Sequence, residues 1–525
     1  MDLNRLALWF AGIAAASLFW RSLRAPRMVK DWLIVSLAIL LTCALGWFLF
    51  PNSEGYAAGM LTLLLVLMPS RAAQAAARAS ERQQYARARL FSTLAALFHP
   101  SADYRVTPPL FRAFELAQIG QLGEAEALLQ VLAKKNPRVA LTASAQRLRL
   151  LARWQELRAL GEDQGLLALQ TQPTLLALYL RALGELGQIE DLSKFMAAQE
   201  TTLVRSGTQD LALLYLFAFT GHVELTARVL GARARRYSVA TREFWLAVAH
   251  QNAGHSAEAR LAFSRLRTNE DAQIRARAEE RWSALLDSAP ERQLSPQTMA
   301  LVARFARAFD QKQRFGWQAS TKQRPNVTNA LVIVNTVIYA IGSAPRFFES
   351  REEFLTRWSF SGKDVLSGDW WRTMSYLFVH FNWLHLLMNM GGLLVLGPFV
   401  EQAYGRFRYL AIYLAAGCAG TAVYLALSLF EPSEQLVGAS GCIMGLLGAH
   451  VAVMLRAWRR HRAPMAREML VRLLFIVALQ VVFDRTTPNV AGLAHAVGLA
   501  AGFLCALALT DTLSADAPRL GASLR

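Results

Sequence analysis

The chain has 525 residues, 54% of them hydrophobic and only 18% charged, which is too apolar for an ordinary soluble protein of this length. Its formal charge of +18 rests largely on arginines in the middle region and beside apolar segments, as basic loops at the ends of membrane spans require, so no nucleic acid partner is implied. Cys43, Cys418, Cys442 and Cys505 lie in or beside apolar runs without a CxxC pair, which argues against a disulfide framework and a zinc site.

The first region, residues 1–70, holds apolar runs at Leu6–Trp20, Trp32–Phe50 and Tyr56–Pro69. A helix needs about 20 residues to cross the hydrocarbon, so the second run suffices and the outer two are short. The first has a signal-peptide alternative, but with only Arg5 before it and no clear cleavage site it reads as a retained membrane segment. The linker "RSLRAPRMVK" carries Arg21, Arg24, Arg27 and Lys30 and is expected on the cytoplasmic side.

Residues 71–322 are rich in Ala, Leu, Arg, Glu and Gln at helical spacing. A weak repeat begins at Gly120, Gly187, Gly221 and Gly254, at intervals of 67, 34 and 33 residues, as if one degenerate copy were skipped. Glycine would turn the chain between antiparallel helices, and the small residue five positions on, Ala125 or Ala259, would let them approach. The pattern resembles a tetratricopeptide repeat, with Pro137 at a unit's end but no recurring Trp or Tyr. A solenoid of stacked hairpins would present a concave surface to a cytoplasmic protein partner; an irregular bundle acting as a spacer is the alternative.

From 325 to 510 six spans are expected: Val327–Ala344, Ser375–Val400, Tyr409–Phe430, Ser440–Trp458, Val471–Phe483 with some flanking residues, and Val490–Leu509, followed by a cytoplasmic tail, 511–525. The basic segment Arg456–Arg472, with Arg406 and Arg408, orients them with both ends in the cytoplasm. "EPSEQLV" at 431–437, "DRTTPN" at 484–489 and the aromatic loop Arg346–Arg372 then face outward. The fold class is all-α, a polytopic membrane protein with a six-helix core and a soluble helical-repeat region.

Polar side chains inside spans are costly to bury and mark function. Ser440 and His495 fall at matched depth beside the small-residue strips Gly441/Gly445 and Gly498/Gly502, which let membrane helices approach closely. A serine beside a neutral imidazole is a nucleophile with its base. His385 and Asn389, four apart, share a helix face and can donate to a developing oxyanion, with the Ser440 backbone N–H; for Asn389 the plainer alternative is an interhelical hydrogen bond. His380 reads either as part of this cluster or as a polar residue at the water boundary. The sixth span has no acid to orient His495, and Asp484 lies at the end of the fifth, so the arrangement reads as a dyad.

"WWR", "HFNWLHLLMN", "GASG" and "AHAVGLAAG", in that order, resemble the rhomboid intramembrane serine proteases over residues 325–510. The resemblance implies Ser440 as nucleophile, His495 as general base and His385 and Asn389 as oxyanion donors. It further implies that Gly438 is the glycine two places before the serine, that Trp371 and Arg372 are a structural pair, and that Glu401 is the acid at the cytoplasmic end of the second span. An aromatic ring often stands four residues after the serine in bacterial members; here it is Met444. Substrates would be transmembrane proteins whose spans loosen near the outer face of the cell's inner (plasma) membrane, with no cofactor or metal. An inactive membrane scaffold using the repeat region, or a transporter, would be the alternatives.

Overall fold

The computed structural model describes residues 3–23, 31–49, 53–99, 102–137, 139–232, 237–285, 293–315, 325–344, 346–429, 435–462, 464–486 and 490–511. Arg24, Arg27 and Lys30, most of "EPSEQLV", the end of "DRTTPN" and the tail beyond 511 lie outside the described residues. Two compact units divide the chain, Met1–Phe305 and Ala306–Arg525.

Three apolar helices open the first unit: Leu3–Leu23, Asp31–Leu49 and a continuous helix Glu54–Glu81. The third passes without a break through the boundary expected at residue 70. A π turn at Leu63–Leu67 accommodates Pro69, whose ring would otherwise crowd the Leu65 carbonyl, and the alanine-rich stretch beyond favours helix. Asn4 Oδ1 accepts the N–H groups of Gly55 (2.8 Å) and Tyr56 (3.1 Å) and so caps this helix. Ala11, Ala15, Val35, Ile39 and Ala58 form the buried seam between the three.

Helical hairpins follow, and their turns share one hydrogen-bond pattern. Gly120, Gly187, Gly221 and Gly254 all have positive φ, and after each the next N–H returns to the carbonyl five residues earlier, as in Gln121→Leu116 (2.9 Å) and His222→Phe217 (2.9 Å). The interval of 67 contains the same turn at Ala152, φ 54°, closed by Arg153→Leu148 at 2.9 Å. An L-residue in that conformation costs about 1–2 kcal/mol, which explains why glycine holds the other four positions. Ala125 and Ala259 are fully buried.

The inner helices do not leave an open concave face. From Ala140–Leu150 through Pro173–Glu185, Gln209–Phe219, Val239–Asn252 and Ala272–Ala284 each packs on the next, and the last returns to Ala102–Gln118. Gln118 Nε2 donates to Asp271 Oδ2 (2.9 Å) and Arg277 to the Leu150 carbonyl (3.1 Å), closing a ring. Its inner wall is lined by arginines laid on aromatic rings: Arg181 lies 5.0 Å from the Trp154 centroid and 5.1 Å from that of Trp245, and Arg149 5.5 Å from that of Phe114. Glu185 is buried between Arg181 and Arg281. Burial pushes its carboxyl up, but the two guanidiniums outweigh this and hold it below the usual carboxylate range.

The second unit contains six core helices: α1 (Asn326–Ile341), α2 (Trp383–Tyr404), α3 (Arg406–Leu427), α4 (Ser440–His461), α5 (Pro464–Thr486) and α6 (Gly492–Ala508). Among the described residues of the chain, α2, α3, α4 and Glu54–Glu81 are each long and apolar enough to cross a membrane, and α1, α6 and parts of the first two helices are shorter apolar helices. This makes the chain a multi-pass membrane protein.

Three boundaries refine the sequence reading. α2 starts at Trp383, not Ser375, because Asn382 caps it by accepting the His385 N–H (2.9 Å). α5 extends the apolar stretch Val471–Phe483 by flanking residues at both ends, as a span needs, and these carry charges that hydropathy excludes. The basic segment 456–472 is therefore mostly helix, and Arg462, which ends the first of the two helices, is left-handed.

Glu401 near the end of α2 accepts the backbone N–H groups of Val327 and Thr328, both at 2.9 Å, and the Thr328 hydroxyl at 2.8 Å, capping α1 across the bundle. Arg372 is buried and ties the loop between α1 and α2 together through Asp369 (2.9 Å), Asp364 (3.1 Å) and the Thr356 carbonyl (2.6 Å).

Candidate active site

α4 and α6 pack backbone to backbone. A Cβ built on Gly498 would lie 2.2 Å from the Gly441 carbonyl oxygen, and one on Gly502 2.1 Å from that of Gly445. No side chain fits there. The contacts advance together along both helices, so the two run parallel, and Ser440 and His495 flank the first of them: a Cβ on Gly441 would stand 3.6 Å from the Ala494 carbonyl.

Ser440 is the first residue of α4, half-buried, with its backbone N–H among the unpaired amides of the first turn. The loop leading to it is held from two sides. Leu436 and Phe360 exchange backbone hydrogen bonds (3.0 and 3.1 Å), and Gly438 donates to the Tyr376 carbonyl (2.9 Å). Gly438 has φ 112°, a conformation glycine alone takes easily, and a Cβ there would collide with the His385 ring at 2.8 Å and approach Asn389 Nδ2 at 3.6 Å. The serine loop, His385 and Asn389 thus meet at one point.

Asn389 is buried and donates to the His385 carbonyl (3.0 Å), and its second amide hydrogen has no partner among the described residues. His385 is half-buried and within electrostatic reach of His495. His380 is not at a water boundary. It is fully buried in the loop before α2, edge-on to the His385 ring at 5.2 Å, and neither ring nitrogen has a hydrogen-bond partner among the described residues. Met444 is buried in the core around α4.

His495 is buried, and its Nδ1 lies 2.9 Å from Asp484 Oδ1. α6 supplies no acid, as its sequence shows, but α5 does. Gln480, one turn before Asp484, donates to the same carboxylate oxygen at 2.8 Å. Sequence reasoning left Asp484 at the end of the span and missed this contact; its one signal was Gln480, four residues before Asp484 in the apolar stretch Leu473–Phe483. Ser440 Oγ makes no hydrogen bond to a described residue, so Ser440 and His495 are neighbours across the α4–α6 contact without being bonded.

The fold and this cluster define a helical membrane protein with a serine, an imidazole and an amide donor assembled from three different helices. A Rhomboid domain matches residues 367–512. Rhomboid protease GluP of Bacillus subtilis is 34% identical over 145 residues, 28% of this chain and 27% of its own length. Rhomboid protease AarA of Providencia stuartii is 33% identical over 147 residues, 51% of its length, and the rhomboid protein YdcA of Bacillus subtilis is 30% identical over 141 residues, 67% of its length. Through this domain the chain belongs to the rhomboid family. It spans only about a quarter of GluP's length and half of AarA's.

Proposed function

We propose that the second unit is an intramembrane serine endopeptidase that cleaves transmembrane segments of other membrane proteins near the outer face of the inner (plasma) membrane. The observation that carries this reading is the convergence on Gly438: the serine loop is pressed against His385 and Asn389, while Ser440 starts the helix packed on that of His495. Ser440 Oγ attacks the scissile carbonyl carbon and its proton passes to His495 Nε2. The carbon–nitrogen bond then breaks and the proton leaves with the amine. Water repeats the sequence on the acyl-enzyme, releasing the carboxylate and restoring the serine. Asn389 Nδ2, His385 and the Ser440 N–H donate to the oxyanion. This chemistry requires the Ser440 Oγ–His495 Nε2 hydrogen bond to close when a substrate carbonyl is held. Substrate helices must unwind to offer a peptide bond, which Gly or Pro in the span makes easier.

The hairpin region, about 71–322, is read as a tetratricopeptide-like module on the cytoplasmic side that binds a protein partner. With its inner wall filled, the outer helices are the surface it offers.

The purified full chain in liposomes should label with a fluorophosphonate and cleave a model transmembrane substrate. Ser440→Ala should lose both, by on the order of 10³-fold or more in cleavage. A wild-type chain that neither labels nor cleaves would leave the membrane-scaffold reading in its place. Removing residues 75–320 should keep model-substrate cleavage and lose native partners.

A further inference from the structure

We infer that Asp484 is a positioning residue for His495, so that the proposed peptidase works with a serine, a histidine and a carboxylate brought from the neighbouring helix. This rests on the hydrolytic reading above and adds to it a group that α6 itself lacks.

The contact is specific. The His495 and Asp484 side chains are 9% and 10% exposed, and their 2.9 Å separation is a full hydrogen bond. Much of the rest of α5 turns apolar side chains outward: Phe475, Leu479, Val482 and Phe483 are all exposed, as suits a helix facing lipid. Gln480 and Asp484 stand one turn apart with their polar ends together and turned to α6. Room for the carboxylate is made by Gly492 at the start of α6, where a Cβ would lie 3.2 Å from Asp484 Cβ. A carboxylate this buried is costly unless its oxygens are paired, and here Oδ1 receives both Gln480 and His495.

A carboxylate only accepts hydrogen bonds, so the shared hydrogen resides on His495 Nδ1 and the lone pair is on Nε2. That is the tautomer a base needs to take the Ser440 proton. When Nε2 gains it, the Nδ1–H bond to the anion stabilises the imidazolium; no proton passes to Asp484. Gln480, donating to the same oxygen, fixes the carboxylate.

The test separates this role from a purely structural one by the order of two variants. Asp484→Asn is isosteric, but its amide would donate to Nδ1 and trap the wrong tautomer. Asp484→Ala leaves both tautomers available. Positioning therefore predicts that D484N loses about 10²-fold or more in kcat, D484A less, and both keep KM within about twofold. A structural role predicts the reverse order. Wild-type cleavage with D484N within about twofold of it in kcat, or D484A worse than D484N, would overturn the inference while sparing the peptidase. Equal cleavage by wild type and Ser440→Ala would instead remove the hydrolytic reading and this one with it. Should D484N not fold, Gln480→Leu serves: a kcat fall of about threefold or more at unchanged KM is expected, and wild-type kcat would overturn the inference.

Discussion

The hairpin ring of the first unit and the six-helix core of the second solve helix packing by opposite means. In the ring, long side chains bridge between helices: Arg281 reaches Glu185 from 96 residues away, and Arg181 lies between two indoles. In the core, side chains are removed. Gly441, Gly445, Gly498 and Gly502 bring two backbones together with nothing between them. The solvents account for the contrast. Water rewards burial of apolar surface, so a ring can afford gaps spanned by arginine stems and satisfied charges. Lipid tails are as apolar as the helices, so association there relies on close van der Waals contact, to which glycine strips are suited. A consequence is that polar groups hold the ring together, whereas the α4–α6 contact beside Ser440 needs none.

The largest expected effect tests the glycine half of that contrast. Gly498→Val would place a branched side chain where even a Cβ stands 2.2 Å from the Gly441 oxygen, so α4 and α6 must part. Overpacking typically costs about 1–3 kcal/mol and more where backbone cannot yield. Loss of the cooperative melting transition of the core, together with cleavage, is expected in thermal scans; a variant melting like wild type would refute backbone packing as the organising contact.

Next comes the ring. Glu185→Ala leaves Arg181 and Arg281 facing each other without their anion, and breaking a buried pair in this way costs about 3–5 kcal/mol. Hydrogen exchange should show residues 173–285 opening while cleavage by the core is unchanged. Because the Glu185 carboxyl is held below its usual range, its contribution is present above the unfolded-state pKa and is lost as pH falls through the folded value. The wild-type ring should therefore loosen in acid, and the variant, already without that contribution, should show a flatter acid limb by the same measurement.

What the sequence disclosed follows the same division. Glycine at 33- and 34-residue intervals exposed the hairpin turns, but Ala152 hid one of them, since nothing about an alanine marks a positive φ. Stacked hairpins imply an open concave face, and only three-dimensional closure shows Arg149 and Arg181 lying on phenyl and indole rings inside. In the core, Ser440, His495, His385 and Asn389 were conspicuous because lipid makes every polar residue expensive. Asp484 was passed over for the matching reason: a carboxylate at the end of a span looks solvated, and its partner is eleven residues on, on the next helix. For His380 the sequence leaves two readings open, and its full burial beside His385 removes the one at the water boundary.

Asn389 provides the smallest effect and the finest discrimination. If polar groups in the core are kept for stability, Asn389→Ala should behave as loss of an interhelical bond, worth about 0.6 kcal/mol on average in membrane proteins, and should lower melting and activity together. The structure argues otherwise, because among the described residues the only hydrogen bond of the Asn389 side chain is to the His385 carbonyl one turn earlier on its own helix, at 3.0 Å, while its amide stands beside Gly438. Little stability is lost with it. As an oxyanion donor, however, its removal should cost about 2.7–4 kcal/mol in the transition state, on the order of 10²–10³ in kcat, with KM nearly unchanged. Melting within about a degree of wild type together with that loss of kcat would place Asn389 on the chemical side of the contrast. Equal, small losses in both would move it to the structural side and return the oxyanion to His385 and the Ser440 amide alone.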